Sequence, residues 1–126
     1  MTNEQLHHEE LIAGISKQMK TILESSQQAV YIYLDDIHKV CNGKYATLLG
    51  YRSPEEWAKE QDPLEATVER SSQEILANAY KQAMEKFIPS NIKVTWKKKS
   101  GGTVVTSVVL VPIAYDDHIF ALHFVF

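Results

Sequence analysis

Two stretches near the C-terminal end, Thr103–Ile113 and His118–Phe126, constrain this chain most. Side chains alternate along a strand, so the first places Thr106, Val108 and Leu110 on one face and Val105, Val109 and Val111 on the other. The second sets Phe120, Leu122 and Phe124 against Ile119, Ala121 and Val125. A strand apolar on one face needs one covering layer, whereas a strand apolar on both needs two. The rest of the chain must therefore supply two lids for one sheet.

The first lid is a helix predicted over Asn3–Glu24. Thr2 or Asn3 caps it, Ile12, Ile15, Met19 and Ile22 recur at helical spacing, and Leu11 and Leu23 widen the stripe. Only Gly14 interrupts it, at about 1 kcal/mol relative to Ala. About 20 residues span about 30 Å, and two heptads are too few to read as a coiled coil. The second lid opens at the capping box Ser71–Ser72–Gln73–Glu74 and runs through Phe87, with Ile75, Leu76, Ala79, Tyr80, Ala83 and Met84 on its stripe and Pro89 as its stop.

Between the lids, Ala29–Asp35 alternates Val30, Ile32 and Leu34 with Tyr31 and Tyr33. Asp35–Asp36 turns the chain into a short return strand, His38–Cys41. Asn42 caps a helical turn over Gly43–Leu49, and Gly50 sits where a left-handed residue ends a helix. Ser53–Pro54–Glu55–Glu56 opens a short helix anchored by Trp57. After Asp62–Pro63 the chain reads as a loosely structured connection. Ile92, Val94 and Trp96 alternate with Lys93, Thr95 and Lys97, the pattern of an edge strand with one solvated face. Ser100–Gly101–Gly102 and Asp116–Asp117 supply the last two turns. The order predicts an α+β fold with a five-stranded antiparallel sheet.

At 126 residues the chain is long enough for one core without a disulfide or metal staple, and its single cysteine, Cys41, leaves no internal disulfide. A net charge of −3, with Lys97–Lys98–Lys99 as the only basic run, gives no reason to expect nucleic acid. Met1–Glu10 is polar and acidic, unlike a signal or transit peptide, and no apolar run reaches the length of a membrane span. The expectation is a cytoplasmic protein with no membrane partner.

Four stretches in this order resemble a PAS domain, the small sensory and dimerisation module of signalling proteins. They are Ile22–Ser26 followed by Ala29–Asp35, Val40–Asn42 through Leu48–Leu49–Gly50–Tyr51, Ser53–Trp57, and Lys98–Gly102 with the Val-rich strand ending at Pro112. The resemblance covers residues 20–126. The first hairpin is short and lacks the usual glycine, and Val68–Glu69–Arg70 replaces the Pro–Glu–Asp common before the long helix. The resemblance implies spatial strand order 2-1-5-4-3, with helices on the inner face and the N-terminal helix on the outer. The implied division is 1–25 as a dimerisation helix and 26–126 as the PAS domain.

Carried over by position, the family's cavity gives a candidate pocket of Ile32, Cys41, Tyr45, Ile75, Ala79, Trp96, Thr106, Val108, Phe120, Leu122 and Phe124, with Leu34, Leu49, Val94 and Leu110 beside them. The Tyr45 hydroxyl, Thr106, the Trp96 indole and the Cys41 thiol are its polar handles; the bland alternative is a core filled by its own aromatics. The cofactor is unknown. Residues 71–87 hold no histidine to ligate haem, and the Asn-Cys-Arg run of the photochemical flavin branch is absent, which leaves Cys41 as a buried inert thiol. No metal site is expected: His7 and His8 read as a solvated helix face, His118 and His123 point to opposite faces, and His38 lies on a strand the family places away from the last one. Acidic pairs at turns and helix starts offer no catalytic pair, and no ionisable group is expected to point into a cavity.

The outer face reads as the dimer surface: Tyr31, Tyr33, Val109, Ile119, Ala121, His123 and Val125, covered by Ile12, Ile15, Met19 and Ile22 of the helix or of a twofold mate. The expected role is a sensory and dimerisation module, the input domain of a larger regulator such as a histidine kinase. The alternatives are a ligand-free interaction module and a small α+β enzyme using Tyr45 or His123.

Overall fold

A computed structural model describes residues 2–126. Helix α1 (Asn3–Gln18) begins with a complete capping box: Gln5 N–H donates to Thr2 Oγ1 at 3.1 Å, and Thr2 N–H donates back to Gln5 Oε1 at 2.9 Å. The single helix expected over Asn3–Glu24 is broken at Met19, and α2 (Lys20–Ser25) follows. Met19 at the break and Leu23 beyond it both pack toward the sheet.

The remaining elements are β1 (Ala29–Asp35), β2 (His38–Cys41), α3 (Gly43–Leu48), α4 (Pro54–Ala58), α5 (Pro63–Thr67), α6 (Arg70–Lys86), β3 (Ser90–Lys97), β4 (Thr103–Tyr115) and β5 (His118–Val125). Asn42 caps α3 by accepting from Tyr45 N–H at 3.0 Å, and the same Oδ1 accepts from Val30 N–H at 3.0 Å, locking the helix to β1. Ser53 caps α4 at 3.1 Å from Glu56 N. The connection after Asp62–Pro63 is the short helix α5, with Asp62 as its cap and Pro63 in its first turn. Helix α6 starts at Arg70 rather than in the predicted Ser71 box; Ser72 Oγ instead accepts from Thr95 N–H at 2.9 Å and ties α6 to β3. No helix of the described residues is long and apolar enough to cross a membrane.

The five strands form one antiparallel sheet in order β2-β1-β5-β4-β3, so β5 is central as expected. Both lids are present. Helix α1 lays Leu11 and Ile15 over Val30, Ile32, Phe120 and Leu122 on the outer face. The inner face is covered by α3–α6, through Tyr45, Leu49, Trp57, Leu76, Ala79 and Ala83.

The faces of β1 and β5 are the reverse of the expected ones. Directly opposed residues in an antiparallel pair share a face, and the register sets Leu110 opposite His123 and His123 opposite Tyr31. Tyr31, Tyr33, Ala121, His123 and Val125 therefore lie on the inner face, along with Ile119, and not on the outer surface assigned to them. Ile32, Leu34, Phe120, Leu122 and Phe124 lie on the outer face under α1, not in the pocket. The positions on β3 and β4 are as read: Val94, Trp96, Thr106, Val108 and Leu110 point inward, and Val105, Val109 and Val111 outward.

One charged residue is buried on the inner side. Lys39, opposite Tyr33, reaches the carbonyl oxygens of Ala58 at 3.1 Å, of Glu60 and of Asp36, and lies 5.2 Å from the Trp57 ring. All three ammonium protons have acceptors, which makes its burial tolerable. The lysine closes the end of α4 against the β1–β2 turn.

Candidate functional site

Because β1 and β5 turn their Tyr and His side chains inward, the space between sheet and helices is an aromatic cage. Tyr31 sits at its centre, 4.6 Å from the Tyr45 ring, 5.4 Å from Trp57, 6.1 Å from Trp96, and stacked on His123 at 3.8 Å with an 11° interplanar angle. Tyr33 meets Tyr80 of α6 edge-on at 5.2 Å, and the Tyr80 hydroxyl donates to Leu34 O at 3.2 Å. These rings, with Pro63, Leu64, Thr67, Val68 and Leu76, line a half-open cavity of about 300 Å³ whose wall also includes Asp36 and Asp62. That is the small end of the range for ligand cavities. A wider groove between α1–α2 and α3–α4 is lined by Lys17, Lys20, Glu24, Lys44 and Glu55 and is open to solvent.

The electrostatics of the cage follow from burial. Desolvation raises the phenols of Tyr31, Tyr33 and Tyr45 well above their ordinary value, so all three stay protonated. The Tyr33 hydroxyl donates to the Asp36 carboxylate. Burial pushes His123 down to about 3, against the opposing hydrogen bonds to Ala121 and Tyr31 backbone, so its imidazole is neutral and its Nδ1–H donates to Ala121 O at 3.1 Å. Burial also pushes the Cys41 thiol up to about 12, and at the end of β2 it is not thiolate.

Of the predicted pocket residues, Tyr45 and Trp96 line the cavity. Cys41, Ala79, Thr106 and Val108 belong to the same inner packing without lining it, and Ile75 is exposed on the far side of α6. The Trp96 indole and the Thr106 hydroxyl are not free handles: Trp96 Nε1–H donates to Thr106 Oγ1 at 2.7 Å. The polar group left without a partner is on Trp57. Its side chain is buried in the cavity wall, and its Nε1–H has no acceptor among the described residues. A buried indole N–H without a partner is uncommon and costly. The sequence marked Trp57 only as the anchor of a short helix, and the expectation that no ionisable group would face a cavity fails at Tyr31, Asp36 and His123.

Of the histidines in the N-terminal half, His7 is exposed and His38 lies on β2, away from β5, both as expected, whereas His8 differs. His8 is not on a solvated face: its Nδ1 lies 2.9 Å from Asp35 Oδ2, and its ring is 5.5 Å from that of His38.

No family model and no curated protein matches the sequence. Solved structures do match its fold. A PAS domain from Colwellia psychrerythraea superimposes with a TM-score of 0.68 at 19% identity, covering 89% of this chain and 95% of that one. A PAS domain from a two-component sensor histidine kinase gives 0.64 at 12% identity, covering 90% and 96%. A LOV protein from Rhodobacter sphaeroides gives 0.64 at 14% identity, covering all of this chain and 68% of that one. Strand order, the helical layer over the inner face and these superpositions agree: the chain adopts the PAS fold.

Proposed function

We propose that this chain is a sensory and dimerisation module in signal transduction, acting in the cytoplasm as the input to a larger regulator such as a histidine kinase. The observation that carries the sensory half is the aromatic cavity with the unpartnered Trp57 indole in its wall. Tyr31, Tyr45, Trp57 and Trp96 supply flat apolar surface, and the indole supplies one directional donor. The ligand this chemistry suits is a small, flat, mainly apolar molecule carrying a hydrogen-bond acceptor. The dimerising half rests on the part of the outer face that α1 leaves uncovered, where Val105 is 63% exposed beside half-buried Val109 and Val111.

The test is native mass spectrometry of the purified protein, followed by a thermal-shift screen of small planar molecules. Binding is expected, with Trp57→Phe weakening the hit by roughly 5- to 30-fold, the equivalent of one hydrogen bond to a buried donor. A Trp57→Phe protein that binds every hit as the parent does would remove the indole from the reading. No hit at all would favour the alternative, a ligand-free interaction module.

A further inference from the structure

We propose that His8, Asp35 and His38 form a binding site for a divalent transition-metal ion, with Zn2+ the ion best suited, and that the ion clips α1 to the β1–β2 hairpin. The three side chains come from different elements: the first turns of α1, the end of β1 and the start of β2. Their ligand atoms all lie within 4.8 Å of one another. The Asp35 carboxylate stands between the imidazoles, with Oδ2 at 2.9 Å from His8 Nδ1 and Oδ1 at 2.7 Å from His38 Nδ1. A tetrahedral ion with bonds of about 2.0–2.1 Å needs its ligand atoms roughly 3.3 Å apart. Small side-chain adjustments reach that spacing.

The site is built rather than accidental. Side-chain exposure is only 6% at His38 and 21% at His8. Asp35 Oδ1 also accepts from the backbone N–H groups of Ile37 at 3.1 Å and His38 at 2.9 Å, which fixes the carboxylate before any ion arrives. His8 lies on the stripe that continues through Leu11 and Ile15, the two residues of α1 buried on the sheet, so helix packing carries the imidazole inward. Two imidazoles and one carboxylate are nitrogen and oxygen donors of borderline softness, a set that suits Zn2+ over Ca2+ or Mg2+. On binding, each neutral imidazole carries its proton on Nε2 and presents the Nδ1 lone pair. The fourth position is left to water or to His118, whose ring centre is 6.0 Å from that of His8 and whose Nδ1–H is engaged by Asp116 O at 3.0 Å.

Untagged protein stripped with a chelator tests this, by calorimetric titration with ZnCl2 and by the visible spectrum with Co2+. One equivalent of Zn2+ is expected to bind, Co2+ to give the intense bands of four-coordinate geometry, and Tm to rise by about 5–10 °C at a hundredfold excess over Kd. His8→Gln, a partly exposed helix position whose replacement leaves the core intact, is expected to weaken binding roughly tenfold or more. His7→Gln is expected to change nothing. Failure of stripped protein to bind Zn2+, or undiminished binding by His8→Gln with helix content preserved by circular dichroism, would overturn the site.

Discussion

His123 concentrates the consequences of the inward-facing β5 in one residue. It is 2% exposed, stacked on Tyr31 and held near 3 by desolvation, against an ordinary value of 6.5. The sign of its effect on stability follows from linkage. Above pH 6.5 the imidazole is neutral in both folded and unfolded chains and costs nothing. As pH falls below 6.5 the unfolded chain takes up a proton that the folded chain refuses, and stability drops by about 1.4 kcal/mol per pH unit until pH reaches about 3. Other groups titrate in this window, so the comparison with His123→Phe isolates the term. Urea denaturation at pH 7 and pH 5 is expected to show the parent losing clearly more stability than the variant; equal losses would place the imidazole in water. The residue's own neighbours did not mark it as buried, because a lone His between Leu122 and Phe124 reads equally well on either face. Trp57 was similarly opaque. A tryptophan in a short helix declares that it is buried, but whether its N–H has a partner depends on which carbonyls the tertiary fold brings near.

At the scale of elements, strand existence and order were legible while the faces of β1 and β5 were not. The reason is the same two-sided apolarity that made those strands informative. A strand with one polar face carries its own marker: Lys93 and Lys97 fix the parity of β3, and through it that of β4. Tyr31 and Tyr33 against Ile32 and Leu34 carry none. The register did hold a usable signal. Asp116 and Asp117 form a two-residue hairpin turn, and counting outward from the Tyr115–His118 pair reaches Leu110 opposite His123, which puts His123 inward. The same turn is open to improvement. Both aspartates adopt left-handed backbone, with φ of 49° and 62°, where Asn-Gly is strained least. Replacing the pair by Asn-Gly is expected to raise stability by about 1 kcal/mol and Tm by roughly 3–5 °C in thermal denaturation. A loss instead would mean the carboxylates hold the turn. The one glycine of α1 is explained by contact and not by a break: a Cβ on Gly14 would run into the Tyr115 hydroxyl, so glycine lets the helix approach β4.

For the whole molecule, the decisive question is how the outer face divides between α1 and a second copy of the chain. The sequence reading gave α1 and a mate the same residues to cover. In the structure α1 already buries Val30, Ile32, Phe120 and Leu122 within its own chain, so what remains for a mate is the exposed row led by Val105. The two roles now separate by mutation. Removing residues 1–18 strips Leu11 and Ile15 from the sheet, an upper-bound loss of about 3–6 kcal/mol from those two side chains alone. That approaches the whole stability of an ordinary domain. The truncated chain is expected to unfold at lower denaturant and to aggregate through its bare sheet. Val105→Lys touches only an exposed side chain and is expected to leave folding intact. If the uncovered outer face is the dimer surface, light scattering will show twice the chain mass for the parent and a folded monomer for Val105→Lys, because each copy would then bury a charged lysine in the contact. A full-length parent that is monomeric would remove dimerisation from the proposed function and leave the helix as a lid alone.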